Sequence, residues 1–369
     1  MDFRSPPAVI EALQQRVAHG VFGYTHAPSE LMDTVLTMLA DKYGWLVQPE
    51  WLVWLPGLVT GLNVVCRAAA PHPTDEIITL VPVYPPFLSA PELAERKLAT
   101  VPLANIAGRW RIDLNLFEEA ITPQTRLLLL CNPHNPVGRI FNREELLALA
   151  GICEKHDIII CSDEIHSELV LDEDKQHIPL ATLGEDLARR VITFMAPSKT
   201  YNLPGLGLSF AVISDTALRQ QFQRTMAGIV PYVNALGYTA ALAAYRDSHE
   251  WHRQLLRYLR GNRDLVTEAV AAMPGLTMTH VEATYLAWID TRPLGLDNPG
   301  RFFEQAGVGL SDGKEFGGDG FVRLNFGCPR ATLKEALARM DAATERLQDT
   351  FRIYGASDGS RAKNSDCGE

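Results

Sequence analysis

Apolar and polar positions alternate along the chain in two distinct periods. Ile10, Leu13 and Val17 share one face of a helix that Ser5 is expected to cap, Pro6 to open and Gly20 to stop. Ser29 is expected to cap a second helix that turns Met32, Val35, Leu36, Leu39 and Tyr43 inward. Short apolar runs follow, each ending in a polar or turn-forming residue: 51–55, 77–81, 127–131, 158–161, 191–195 and 209–213. Runs of this length, apolar on both faces, predict buried parallel strands. Helical stretches are predicted between and after them at about 62–70, 142–156, 216–226, 233–245 and 249–272. Beyond Pro274-Gly275 the texture changes to short strands at 285–289, 308–310 and 321–325, with helices near 298–306 and 332–348. The alternation predicts an α/β protein: a mostly parallel, doubly wound sheet in a large domain, plus a smaller α/β C-terminal domain. The expected division is an N-terminal helix and arm at 1–26, a large domain at 27–257, a small domain at 258–352 and a disordered tail at 353–369.

Length and charge narrow this picture. A chain of 369 residues can form about two domains with a sizeable core. A formal net charge of -10 disfavours nucleic acid and anionic membrane as partners, because both need a basic face. The six cysteines show no CxxC spacing, which predicts reduced, mostly buried thiols and a cytoplasmic protein. The chain lacks an apolar run of membrane-spanning length.

Candidate chemistry gathers at the strand ends. Lys199 follows closely on the run that stops at Met195; a lysine there is either a solvated loop charge or an amine with a lowered pKa suited to Schiff-base chemistry. Asn135 and Asp163 also lie just beyond the last apolar residues of strands, where open α/β sheets bind ligands. The Gly57 turn, leading into a helix, offers free N–H groups to a phosphate around residues 58–61. Tyr84, held among Pro82, Pro85 and Pro86, is a rigid aromatic suited to stacking. Asp163, Glu164 and His166 raise a metal site, but no second cluster recurs at ligand spacing, and none is expected. Residues 313–320 read as a mobile, glycine-rich loop. Together these supply an amine, a carboxyl, an amide, an aromatic face and an anion cradle, the parts that pyridoxal 5'-phosphate needs.

Four motifs, Asn132-Pro133-His134-Asn135-Pro136-Val137-Gly138, Ser162-Asp163-Glu164-Ile165-His166, Ser198-Lys199-Thr200-Tyr201-Asn202 and Phe321-Val322-Arg323-Leu324-Asn325-Phe326-Gly327-Cys328-Pro329-Arg330, resemble class I/II, fold type I, pyridoxal-phosphate enzymes. Pro82-Val83-Tyr84-Pro85-Pro86-Phe87 and Thr284-Tyr285-Leu286-Ala287-Trp288-Ile289-Asp290 look like the cystathionine β-lyase, or carbon–sulfur lyase, branch. The resemblance implies that Lys199 holds the cofactor and moves the Cα proton, and that Asp163 faces the pyridine nitrogen. It implies that Asn135 donates to the ring oxygen, that Tyr84 stacks on the ring, and that Val59, Thr60 and Ser198 serve the phosphate. His166 stands where many aminotransferases of this class carry Tyr. Arg323 is expected to clamp the substrate carboxylate, and Tyr24 to reach the phosphate of the neighbouring subunit in a homodimer.

The implied activity is elimination of a thiol from an L-cysteine S-conjugate to give pyruvate and ammonia. An aminotransferase acting on an L-amino acid is the alternative, and a cofactor-binding regulatory protein a second. The sequence departs from the family pattern at Ala196, where relatives carry a phosphate-binding Ser, and at Gly207 and Leu208, where some carry a basic residue. Met1-Asp2-Phe3 resembles the end of a longer family segment, so the N-terminal arm is expected to be truncated.

Overall fold

The computed structural model describes residues 1–358. Its strands in chain order are β1 (Leu52–Leu55), β2 (Glu76–Val81), β3 (Lys97–Pro102), β4 (Ala104–Ile106), β5 (Arg109–Arg111), β6 (Thr125–Cys131), β7 (Ile159–Asp163), β8 (Val191–Met195) and β9 (Ser209–Val212). After a long helical stretch come β10 (Thr277–Met278), β11 (Leu286–Asp290), β12 (Ser311–Asp312) and β13 (Phe321–Asn325). Seven strands form one sheet in the order β1-β9-β8-β7-β6-β2-β3. From β3 to β8 all neighbours are parallel, while β9 runs against both β8 and β1.

Both faces of this sheet are covered, which is why its strands read as unbroken apolar runs. Along β6, Leu128 and Leu130 face one core cluster while Leu127, Leu129 and Cys131 face the other. Val191 and Met195 of β8 divide from Ile192 and Phe194 in the same way. Each such fully buried side chain contributes roughly 1.5–3 kcal/mol. A third cluster lies between the four-stranded antiparallel sheet β10-β11-β13-β12 and the helices His249–Ala272 and Arg330–Asp358. No helix among the described residues is long and apolar enough to cross a membrane.

Several local expectations are corrected. Pro6, not Ser5, occupies the cap of the helix Pro7–His19, without a side-chain capping bond. The Ser5 hydroxyl instead donates to the Asn202 carbonyl at 3.0 Å, tying the first residues to the Lys199 loop. Ser29 is the first residue of its helix, behind Pro28. The helix expected from Leu62 begins at Leu58, since Gly61 is a packing glycine rather than part of the turn: a Cβ there would meet Phe194 Cζ at 2.9 Å.

The edge strand β3, the β4-β5 hairpin and the helix Pro86–Leu93, with Pro91 inside it, lie outside the elements that the apolar pattern predicts. In the small sheet, β12 lies just beyond the strand expected at 308–310. The glycine-rich stretch at 313–320 is a packed turn. Phe316 is 1% exposed and its carbonyl accepts from the Val83 N–H at 2.9 Å, while a Cβ on Gly313 would lie 2.1 Å from the Gly318 carbonyl oxygen. The last helix continues through Asp358, into the stretch expected as a tail; the rest of that stretch lies outside the described residues.

Candidate active site

The carboxyl ends of β6, β7 and β8 open onto a cleft of about 400 Å³. Beyond β6, the loop carrying Asn135 is fixed from inside. Asn132 Oδ1 accepts from the Phe141 N–H at 3.1 Å, and the His134 ring nitrogens lie 3.1 Å from the Cys131 carbonyl and 2.7 Å from that of Pro82. His134 is therefore used up in the scaffold. Asn135, buried, lines the cleft.

Asp163 ends β7, and one of its carboxylate oxygens accepts from the Ile165 N–H at 3.0 Å. Burial pushes its pKa up to about 7, against the opposing pull of that N–H and of Lys199. The neighbouring Glu164 turns away from the cleft. It accepts from Ser162 Oγ at 2.8 Å and from the Leu180 N–H at 3.0 Å, and lies 2.7 Å from His177 Nε2. This buried network anchors the strand end that presents Asp163, and it explains why the acidic pair does not converge on one point.

Lys199 rides a tight turn after β8, in which the Tyr201 N–H donates to the Pro197 carbonyl and the Leu203 N–H to the Ser198 carbonyl, both at 2.9 Å. Burial lowers its pKa; Asp163 acts in the other direction, and the Arg323 charge lowers it further. His166 is held to about 3, chiefly by burial and then by Lys199 and Arg323, so its ring is neutral, and its Nδ1 is buried without a partner. Burial raises the pKa of Tyr84, and Asp163 raises it further.

The second sheet contributes Arg323 from β13. Its Nη1 donates to Asn135 Oδ1 at 3.0 Å and its Nη2 to Ser311 Oγ at 3.3 Å, with the guanidinium 4.6 Å from the centre of the Phe316 ring. Nε is buried without a partner, so the fork retains donor capacity for an anion. Across the cleft, the helix Leu58–Ala68 begins at the Gly57 turn and presents Val59 and Thr60 in its first turn, where backbone N–H groups lack intrahelical acceptors.

The cleft thus collects Val59, Thr60, Tyr84, Asn135, Asp163, His166, Ser198, Lys199 and Arg323. It does not collect Tyr24, which is 98% exposed and packs edge-on to Tyr232 in a separate groove. Sequence reasoning did not single out Tyr285, Asn325 or Gly207 as lining residues. Gly207, at a φ of +56°, brings the Lys199 loop so close to the Gly57 turn that a Cβ would meet the Pro56 carbonyl oxygen at 2.9 Å. Tyr285 sits at the start of a strand pattern, and nothing in that alternation shows that it faces the cleft.

Residues 1–340 match the aminotransferase class I and II family. Cystathionine beta-lyase PatB of Bacillus subtilis (strain 168) is 37% identical over 351 residues, covering 93% of this chain and 90% of that protein. The crystal structure of OvoB is 47% identical with a TM-score of 0.91, covering 93% and 90%. The PLP-bound C-S lyase from Staphylococcus hominis is 30% identical with a TM-score of 0.88, covering 93% and 89%.

Proposed function

The chain belongs to the aminotransferase class I and II family, and from that premise we propose that it is a pyridoxal 5'-phosphate-dependent carbon–sulfur β-lyase of the cystathionine β-lyase type. The observation that carries this is the pairing of a half-buried amine, Lys199, just after β8, with a buried carboxyl, Asp163, at the end of the adjacent parallel strand β7, both facing one cleft. The cleft also fits the cofactor in its remaining parts: the unpartnered His166 Nδ1, the Asn135 amide, the Tyr84 ring, and a helix N-terminus with hydroxyls at Thr60 and Ser198. In this reading Lys199, Asp163, Asn135, His166, Tyr84, Val59, Thr60 and Ser198 hold the cofactor. When bound, pyridoxal phosphate supplies an electron sink for the pair left when the substrate's Cα–H bond breaks.

The rest is done by the chain. The Lys199 amine, its proton affinity lowered by burial, accepts the Cα proton. Asp163, costly to ionise alone in its buried place, holds a negative charge once a cationic N–H stands opposite it. Arg323 binds the substrate carboxylate through its free donor capacity and fixes which Cα bond faces the amine. The Cβ–S bond then breaks with its electron pair on sulfur, which leaves as the thiol, and water hydrolyses the remaining three-carbon enamine, its oxygen becoming the pyruvate carbonyl as the nitrogen leaves as ammonia.

In this reading residues 27–257 and 258–352 form the large and small domains, and the arm at 1–26 packs on both, Val9 in the large core cluster and Met1 and Phe3 against the small-sheet cluster. Tyr24, exposed in a groove shared with the exposed Phe22 and Tyr232, completes the cleft of a second copy in a homodimer. The acidic net charge and the free, buried Cys66, Cys131, Cys153, Cys161 and Cys328 support a cytoplasmic location.

The test is product stoichiometry. Cofactor-loaded protein given cystathionine without a 2-oxo acid should release thiol and pyruvate in equal amounts, whereas turnover only with an added 2-oxo acid overturns the lyase reading in favour of amino transfer.

A further inference from the structure

Asn135 and Tyr285 enter the cleft from distant parts of the chain, yet one buried carboxylate touches the segments that carry both. Glu282 accepts from the Ile140 N–H at 2.9 Å and lies 3.5 Å from Arg139 Nε and 2.8 Å from Lys175 Nζ. Arg139, also buried, donates to Glu145 at 2.5 Å and to the Trp110 carbonyl. Backbone bonds repeat the connection. The N–H groups of Glu282 and Ala283 both donate to the Gly138 carbonyl, at 2.9 and 3.0 Å, and that of Leu171 donates to the Glu282 carbonyl at 2.9 Å. Gly138 permits this approach: its φ is +70°, and a Cβ there would meet Val281 Cγ1 at 2.7 Å.

The chain leaves this anchor through Thr284, which is fully buried at a φ of +74°, a conformation that β-branched residues rarely adopt. Its N–H donates to the Leu169 carbonyl at 2.8 Å, and its hydroxyl accepts from the Leu286 N–H at 3.2 Å. Such a backbone persists only where its surroundings over-determine it. Tyr285 and Leu286, the next residues, line the cleft, with the Tyr285 ring edge-on to His166 at 5.9 Å.

We propose that Glu282 is a positioning residue of the active site. Through Arg139 and the Ile140 N–H it sets the loop that carries Asn135, the partner of Arg323; through the Thr284 turn it sets Tyr285. The side of the cleft that carries Asn135 and Tyr285 is thereby assembled by a junction outside it, while Lys199 and Asp163 are held separately by the turn after β8 and by β7. This rests on the reading of Arg323 as the substrate-carboxylate clamp.

Glu282→Gln keeps an oxygen for the Ile140 N–H and removes the charge opposite Arg139 and Lys175. The variant is compared with the wild type by absorbance titration with pyridoxal phosphate, by kinetics on cystathionine, and by hydrogen exchange of residues 135–141 and 283–286. Expected are KM raised about tenfold with kcat changed less than about threefold, cofactor affinity lowered by less than the rise in KM because Lys199 and Asp163 are held separately, and faster exchange in both segments. Unchanged KM, or a kcat loss at unchanged KM, overturns the proposal. Should Glu282→Gln fail to fold, Arg139→Lys, which keeps the charge but loses the fork, carries the same expectation and is overturned by the same results. A wild type that binds no cofactor overturns the functional reading, and this inference with it.

Discussion

Arg323 Nη1 donates to Asn135 Oδ1 at 3.0 Å, although 188 positions separate the two residues. One hangs from the small antiparallel sheet and the other from the loop after β6, so this bond joins the two sheets at the cleft. Arg323→Lys keeps the charge and loses the planar fork. KM for an L-cysteine thioether should rise about 10- to 100-fold, with the absorbance of the bound cofactor unchanged. Kinetics alongside an absorption spectrum check this, and an unchanged KM contradicts the clamp.

Lys199→Ala should lose turnover by about 10³-fold or more while the fold is kept, because the proposed proton carrier is gone. Circular dichroism and a product assay measure the two halves. Residual activity near the wild-type level contradicts the role.

Asp163 sets a pH dependence whose sign follows from its burial. Its carboxyl is raised from 3.8 to about 7 in the folded protein. Between those values the folded state keeps a proton that the unfolded state has released, so stability falls as pH rises. For cofactor-free protein the loss should amount to a few kcal/mol at most, since each tenfold difference in proton affinity between the two states is worth about 1.4 kcal/mol. Asp163→Asn should remove that slope between pH 4 and 7 in urea titrations. An identical slope in the variant contradicts it.

These strand-end residues were legible because a buried parallel strand leaves a plain mark: an apolar run that stops at a polar residue. Asn135, Asp163 and Lys199 follow such marks, and the sheet's topology carries them to one side. The edge strand β3 left none, because Lys97, Thr100 and Pro102 are exposed, Leu98 and Ala99 are only partly buried, and Val101 alone is fully buried. Glu164 stands beside Asp163 in sequence and reads as its equal, yet it bonds to Ser162, His177 and the Leu180 N–H on the far side of the strand. Tyr285 was hidden for a related reason: the turn at Thr284 that aims it depends on Leu169 and Gly138, more than a hundred positions away.

The Glu164–His177 contact yields a prediction about stability. Both side chains are fully buried, so His177→Ala removes one of the three groups bonded to Glu164 and leaves Ser162 Oγ and the Leu180 N–H. The cost should be about 1–3 kcal/mol, as for a buried polar group that loses a hydrogen-bond partner. Denaturant titration should show a shifted midpoint with an unchanged slope. A change under about 1 kcal/mol would mean that the pair is not a structural anchor.

The central claim is that the half-buried amine after β8 is the covalent anchor of the cofactor, and its most direct test is chemical. Wild-type protein loaded with pyridoxal phosphate is reduced with borohydride, digested and mapped by mass spectrometry. A single modified peptide, labelled on Lys199, is the predicted result. Label on another lysine, or none in a folded protein, contradicts it.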